Sequence, residues 1–254
     1  MQLKDDTILI TGGGSGIGRG LAEAFRELGN TVILAGRNEA RLEQVAAGDA
    51  GMHAARLDVT DAADIRRFAE ELPERFPSLN VLINNAGIML HEDVTRADVT
   101  DAEATIVTNL LGPIRLTAAL LPHLQTRERA AILNTTSGLA FVPMAATPTY
   151  SATKAALHSY TLSLREQLAG TNVEVLELIP PYVRTHLTGP AQAEDERAMP
   201  LEDYIRDTMR ILTEQPDTRE VIIDRVAPLR HAEAQGTFEQ VFAMLADMGR
   251  ERSQ

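Results

Sequence analysis

The 254-residue sequence contains no cysteine. That absence removes disulfides, thiolate nucleophiles and cysteine-bound metals together. No uninterrupted apolar run approaches the roughly 18 residues of a membrane span. The start, MQLKDDTILITGG, has no basic segment followed by a long apolar one, so no signal peptide is expected. The expectation is a cytoplasmic chain that engages no membrane. Positive charge is short as well: 24 basic residues face 36 acidic ones, a net charge of −12. No basic patch stands out, which argues against a nucleic-acid partner. An anion bound by so acidic a chain needs a local device. Lysine is almost missing, with only Lys4 and Lys154 among the 24 basic residues. A GC-rich genome would produce that bias, yet a lone internal lysine asks for a reason. The six histidines (His53, His91, His123, His158, His186, His231) show no ligand spacing, so no metal site is expected. A GxSxG elbow is also absent, which argues against a serine hydrolase.

What is present is alternation. Apolar runs at 7–11, 31–35, 54–59, 80–87, 130–137 and 173–180 are rich in Val, Ile and Leu without a clean period of two. Strands buried on both faces read this way. Helical patterns lie between them at 17–28, 39–46, 61–76, 101–124 and 150–168. Asp61 reads as a helix cap, with Asp64 favouring the same N-terminus. Strand and helix in turn predict an α/β fold, a doubly wound, Rossmann-type parallel sheet with helices on both faces. No repeat or linker divides it, so a single domain over 1–254 is expected. After Pro180 the pattern loosens: 180–200 reads as a long loop, then a helix at 201–212, a short apolar run at 219–226 and a final helix near 234–248. The stretch 186–212 is the candidate substrate lid.

TILITGGGSGIGRGLAEAF places a buried strand, a glycine turn and a helix in succession. The spacing is GxxxGxG from Gly12, Gly16 and Gly18. Glycines let backbone approach a pyrophosphate, whose charge sits at the helix N-terminus. This is the local anion device, and Gly12, Gly14, Ser15, Gly16, Ile17 and Gly18 are its candidates. A tight strand–helix turn without ligand is the plain alternative. About 20 residues on, an acid normally accepts the ribose hydroxyls of NAD. Here Gly36 stands in that place and Arg37 follows, which favours the 2′-phosphate of NADP(H) over NAD(H), unless Arg37 is simply an exposed strand end.

Tyr150 and Lys154 are spaced i, i+4 and share one helix face. Tyrosine titrates at about pH 10, and a neighbouring ammonium favours its phenolate. That makes an acid/base poised nearer neutrality, and it gives the lone lysine a reason. A solvated helix face is the alternative for such a pair. Ser137, thirteen residues earlier, ends the fifth apolar run, where ligands of parallel sheets bind; a turn residue before Gly138 would look the same. Asn109 is a poor helix-interior residue, so it either faces solvent or joins a buried polar network.

Together TGGGSGIG (11–18), LDV (57–59), NNAG (84–87), Asn109, Ser137, YSATK (150–154) and PPYVRT (180–185) resemble the short-chain dehydrogenase/reductase family over about residues 5–185. TSGLAFVP followed by YSATKAALHSYTLSLR is similar to its DltE-type oxidoreductases. The resemblance implies that Tyr150 passes the proton to or from substrate oxygen. It also implies that Lys154 lowers the Tyr150 pKa and binds the nicotinamide ribose, that Ser137 orients the carbonyl, and that Asn109 holds a water linking Lys154 to solvent. Asp58 and Val59 would sit by the adenine, Asn85, Ala86 and Gly87 along the cofactor, and Pro180, Val183 and Thr185 on the nicotinamide side. Homodimers or homotetramers through the two long helices are implied too. Two departures stand out: Pro181 replaces the usual glycine, and the C-terminus lacks the frequent glycine-rich ending that tetramer contacts use.

The expectation is therefore an NADP(H)-dependent oxidoreductase acting on a small carbonyl or secondary alcohol. A catalytically silent NADP-binding sensor or scaffold is the alternative. An epimerase or dehydratase would need room that this length hardly leaves. Met89, Leu90, Phe141, Met144 and Met199 hint at a partly apolar pocket or at core. His186 is a candidate substrate contact, and His158 reads as a packed or exposed helix residue.

Overall fold

The computed structural model describes residues 3–251, and the ends of the expected 1–254 domain lie outside them. β1 (Thr7–Thr11) leads through the glycine turn into α1 (Gly16–Glu27). Then come β2 (Thr31–Gly36), α2 (Glu39–Ala46), β3 (Met52–Arg56), α3 (Ala62–Arg75) and β4 (Leu79–Asn84). Asp61 caps α3 as expected, accepting from the amides of Ala63 and Asp64. After β4 follow α4 (Thr100–Ile106), a π-helical segment (Val107–Leu111), α5 (Gly112–Leu124), β5 (Ala130–Thr135), α6 (Pro148–Gln167) and β6 (Val173–Leu178). The remainder holds α7 (Pro190–Glu194), α8 (Leu201–Glu214), β7 (Glu220–Val221), α9 (Ala227–Arg230) and α10 (Phe238–Glu251).

The seven strands are all parallel, in the order β3-β2-β1-β4-β5-β6-β7. Strand order reverses between β1 and β4, and ligands bind in the crevice at such a point. The sheet separates two cores. Ile8, Ile10 and Leu34 meet Leu21, Phe25 and Tyr204 of α1 and α8 on one face. On the other, Leu9, Ile33 and Ile132 meet Phe68, Leu116, Leu120 and Leu164 of α3, α5 and α6. Each such side chain contributes about 1.5–3 kcal/mol by leaving water. Residues of both parities are buried, which is why the strands showed no alternation. A third cluster lies off the sheet, where Val142, Met144, Ala232 and Leu245 pack with Met89, Leu139, Leu229 and Phe242.

Several boundaries differ from expectation. β3 stops at Arg56, because beyond it the Asp58 amide is taken by the Asp64 side chain at 2.8 Å, not by a strand. The helix expected over 101–124 is broken by the π segment. Residue 113 is proline, so the Asn109 carbonyl has no i+4 donor. The run Thr100–Leu124 is nonetheless long and apolar enough, at mean hydropathy 1.4, to span a membrane by composition. In this fold its Leu116, Leu120 and Leu124 are core residues. The expected loop after Pro180 is a folded segment: Val183 bridges Met199, and buried Gln192 donates to the Val183 carbonyl at 2.7 Å. β7 is two residues long, since the chain turns at Ile223, whose carbonyl accepts the amides of Val226 and Ala227. α10 starts at Phe238, after Gly236 turns the chain at φ +67°.

Candidate active site

The carboxyl ends of β1, β4, β5 and β6 open onto one cavity of about 490 Å³. One wall is the glycine turn, with Gly12 at φ +69° and Gly16 at φ +51°, a conformation that disfavours side chains. At Gly18 the constraint is space: an added Cβ would lie 2.5 Å from the Gly12 carbonyl oxygen and from Asn85 Nδ2. Thr11 ties this turn to β4. Its hydroxyl accepts the amides of Asn85 at 2.9 Å and Ala86 at 3.0 Å. Opposite, the Thr185 methyl would lie 3.3 Å from a Cβ at Gly16, so the segment after Pro180 closes against the turn.

Tyr150, Lys154 and Ser137 line the same cavity, and all three are buried. α6 begins at Pro148, which puts Tyr150 and Lys154 one turn apart at its N-terminal end. Lys154 Nζ donates to the Thr135 carbonyl at 2.7 Å and lies 5.6 Å from the Tyr150 ring centroid. Burial pushes the Tyr150 phenol up to about 12, against a hydrogen bond from Ser137. Burial also takes Lys154 down to about 8, against the favourable charge of Glu177. The expected lowering of the phenol by Lys154 is therefore not seen in this chain alone. The ammonium points to a backbone carbonyl, and loss of water outweighs it.

Asn109 is fully buried rather than solvent-facing. Its side chain accepts from the Ile88 amide at 2.9 Å and donates to the Ile88 carbonyl at 2.8 Å. It stays beside the centre: a Cβ on Gly87 would lie 3.3 Å from Asn109 Oδ1 and 3.8 Å from Lys154 Nζ.

Of the remaining candidates, Gly12, Ser15, Gly16, Ile17, Asn85, Ala86, Gly87, Pro180, Val183 and Thr185 line the cavity. Gly14, Gly18, Arg37, Asp58, Val59 and Asn109 do not form its wall. Gly18 and Asn109 support it from behind. Asp58 is held by the Thr60 amide and hydroxyl; burial raises its carboxyl, but those bonds and the Arg37 charge keep it below the usual range. Of the five residues suggested for an apolar pocket, Met89 and Met144 line the cavity, while Met199 belongs to the first core and Phe141 packs edge-on against His158. Leu90 is not in the wall. His186 is.

Sequence reading missed several wall residues. Arg41, in the first turn of α2, lines the cavity and donates to the Gly14 carbonyl at 3.0 Å. Leu229 of α9 and Met244, Leu245 and Met248 of α10 close the far side. Arg197 and Arg225 stand there also. Two of these carried a signal: Arg41 is four residues past Arg37, and Arg197 lies inside the stretch 186–212 expected to cover the substrate.

A glycine-turned, doubly wound sheet with tyrosine, lysine and serine in its switch-point cavity defines a nicotinamide-dependent oxidoreductase. The short chain dehydrogenase family pattern matches residues 6–196. The chain is 39% identical over 251 residues to the uncharacterized oxidoreductase DltE of Bacillus subtilis (strain 168), covering 96% of this chain and 98% of the relative. A closed serine dehydrogenase complexed with NADP+ superposes with a TM-score of 0.75 at 30% identity, over 82% of this chain and 89% of that one. A 3-ketoacyl-(acyl-carrier-protein) reductase from Brucella melitensis complexed with NADH gives 0.76 at 27% identity, over 87% and 95%. The chain belongs to the short-chain dehydrogenase/reductase family, and it is an oxidoreductase that works with NAD(P).

Proposed function

We propose that the protein is an NADP(H)-dependent reductase of apolar ketones or aldehydes, and the dehydrogenase of the matching secondary alcohols. The observation that carries this is the meeting of Ser137, Tyr150 and Lys154 in a cavity walled on one side by glycine and on the other by methionine and leucine. The glycine turn, Asn85, Ala86, Gly87 and Thr185 would hold the dinucleotide; Gly12 and Gly16 leave the room that side chains would fill. Bound nicotinamide supplies the hydride in reduction and accepts it in oxidation. Tyr150 Oη gives its proton to the carbonyl oxygen, and Ser137 Oγ donates a hydrogen bond to the same oxygen. Lys154, an ammonium below about pH 8, lies 5.6 Å from the Tyr150 ring centroid and would anchor the nicotinamide ribose. Arg41, in the cavity wall at the glycine turn, supports the 2′-phosphate of NADP(H), the part expected of Arg37.

Met89, Met144, Met244 and Met248 give the substrate wall its character. Thioether side chains are flexible and polarizable, and they suit apolar substrates of varied shape. Of the stretch 186–212 expected as a lid, His186, Leu187, Gln192 and Arg197 stand over the cavity with α10, whereas α8 packs into the core against α1. Exposed Val99, just before α4, Ile106 at its end and Leu162 on α6 support a homo-oligomer through those helices. A second reading rests on Arg225 and His186 in the wall, which suit a carboxylate-bearing hydroxy acid, as the similarity to a serine dehydrogenase would suggest.

The test is oxidation of NADPH and NADH at about 340 nm with apolar ketones and aldehydes, and the reverse reaction with hydroxy acids. NADPH-preferring reduction of apolar carbonyls that Tyr150→Phe abolishes supports the proposal. Turnover confined to hydroxy acids favours the second reading, and cofactor binding with no turnover favours a sensor.

A further inference from the structure

The folded segment after Pro180 is held together by one side chain outside the catalytic group. Gly189, at φ +110°, turns the chain into α7, and Gln192 on that short helix is buried and lines the cavity. A primary amide offers two N–H donors and two acceptor lone pairs. In Gln192 all four are engaged. Oε1 accepts the amide and the hydroxyl of Thr188, both at 2.9 Å. Nε2 donates to the Val183 carbonyl at 2.7 Å and to Thr185 Oγ1 at 3.2 Å. The backbone partners fix which way round the amide sits. Reversed, its NH2 would meet the Thr188 N–H and its oxygen the Val183 carbonyl.

The consequence falls on Thr185. A hydroxyl has two lone pairs and one hydrogen. Both lone pairs are taken, one by Gln192 Nε2 and one by the Leu187 amide at 3.3 Å. The hydrogen remains, and among the described residues no group accepts it. Thr185 lines the cavity and packs against Gly16, the first residue of α1. A pyrophosphate is drawn to such a helix N-terminus, and its oxygens only accept. We propose that Gln192 is a positioning residue, which holds Thr185 as a one-way hydrogen-bond donor for the pyrophosphate of the bound dinucleotide. Without the Gln192 N–H a lone pair is released, and the hydroxyl can present either end to the cavity.

This inference rests on the reading that the glycine turn and Thr185 hold a dinucleotide, and its test needs no turnover. Calorimetric titration uses three probes: NADPH, 2′-phospho-ADP-ribose, which lacks the nicotinamide, and adenosine 2′,5′-bisphosphate, which lacks the pyrophosphate as well. Their forms without the 2′-phosphate replace them if NADH binds more tightly. Thr185→Val should raise Kd about tenfold or more for the first two probes. Gln192→Met, similar in length but without the amide, should raise it about threefold to tenfold for the same two. Neither should move the bisphosphate. In the double variant the losses should not multiply, because with the hydroxyl gone Gln192 has nothing left to orient. Losses that multiply, or an equal loss for the bisphosphate, would show a merely structural role and overturn the proposal. A loss confined to NADPH would put the hydroxyl on the nicotinamide and overturn it too. Where Gln192→Met does not fold, Gln192→Glu serves, since it keeps the Thr188 bonds and draws the Thr185 hydrogen onto itself. An unchanged NADPH Kd there overturns the proposal. A wild type that binds none of the probes removes the dinucleotide reading itself, and the proposal with it.

Discussion

Along the turn from β1 into α1 the cavity wall is mostly backbone: Gly12 and Gly16 hold conformations that side chains resist, and Thr11 staples the turn to β4. Across the cavity the wall is side chain, built by Met89, Met144, Leu229, Met244 and Leu245 from a loop, a short helix and the C-terminal helix. The first wall rests on β1, whose five residues are all buried. The second belongs to a small cluster off the sheet, with only four buried members. A backbone wall recognises what every cofactor of one kind shares, a pyrophosphate and riboses. A side-chain wall can be exchanged without disturbing the sheet, and substrate choice can vary there.

Five substitutions would break or sharpen this contrast. Tyr150→Phe, between the two walls, should lower kcat by about a hundredfold to ten-thousandfold, with NADPH affinity retained in a fluorescence titration. Gly18→Ala forces a methyl against the Gly12 carbonyl and should cost about 1–3 kcal/mol. It is read as weaker NADPH binding and a lower Tm; an unaffected turn would mean that the backbone wall tolerates side chains after all. Met244→Glu should raise KM for an apolar ketone by about tenfold or more while the cofactor Kd stays put. Equal losses in both would show that the walls are not separable. Arg41→Ala should weaken NADPH by about 1.5–3 kcal/mol and leave NADH nearly untouched, measured as the ratio of their kcat/KM values.

The smallest effect is on stability. Lys154 titrates near 8 in the fold against an ordinary value of 10.5, so its charged form costs stability. The cost is complete below about pH 8 and gone above about 10.5. Lys154→Met should accordingly melt a little higher than wild type at pH 7, and the gain should fade as pH rises through that window. A gain that does not vary with pH would trace to packing instead of charge.

Much of the sheet was legible in advance because its strands are continuous apolar runs: 7–11 and 31–35 were placed within a residue of β1 and β2. The site candidates near the sheet, Ser137, Tyr150 and Lys154, were legible too. Each sits at a fixed offset from a strand end or along one helix face. Arg41 was less visible, since its reach to the glycine turn depends on how α2 docks. Met244 and Leu245 were not visible at all. Nothing local in a C-terminal amphipathic helix says which cleft it will cover.

Sequence alone determined the layering, the glycine turn and the tyrosine–lysine pair, because periodicity and short-range spacing encode them, and its motifs resemble those of the family to which the chain belongs. Tertiary structure decided the rest. It set Asn109 into a π segment against Ile88, folded 183–199 down upon itself and brought α10 over the cavity. It also buried Lys154 against the Thr135 carbonyl, nineteen residues away in sequence, where lost water outweighs neighbouring charge and holds the lysine below its usual range. That balance depends on distances through folded space, and no spacing along the chain records it.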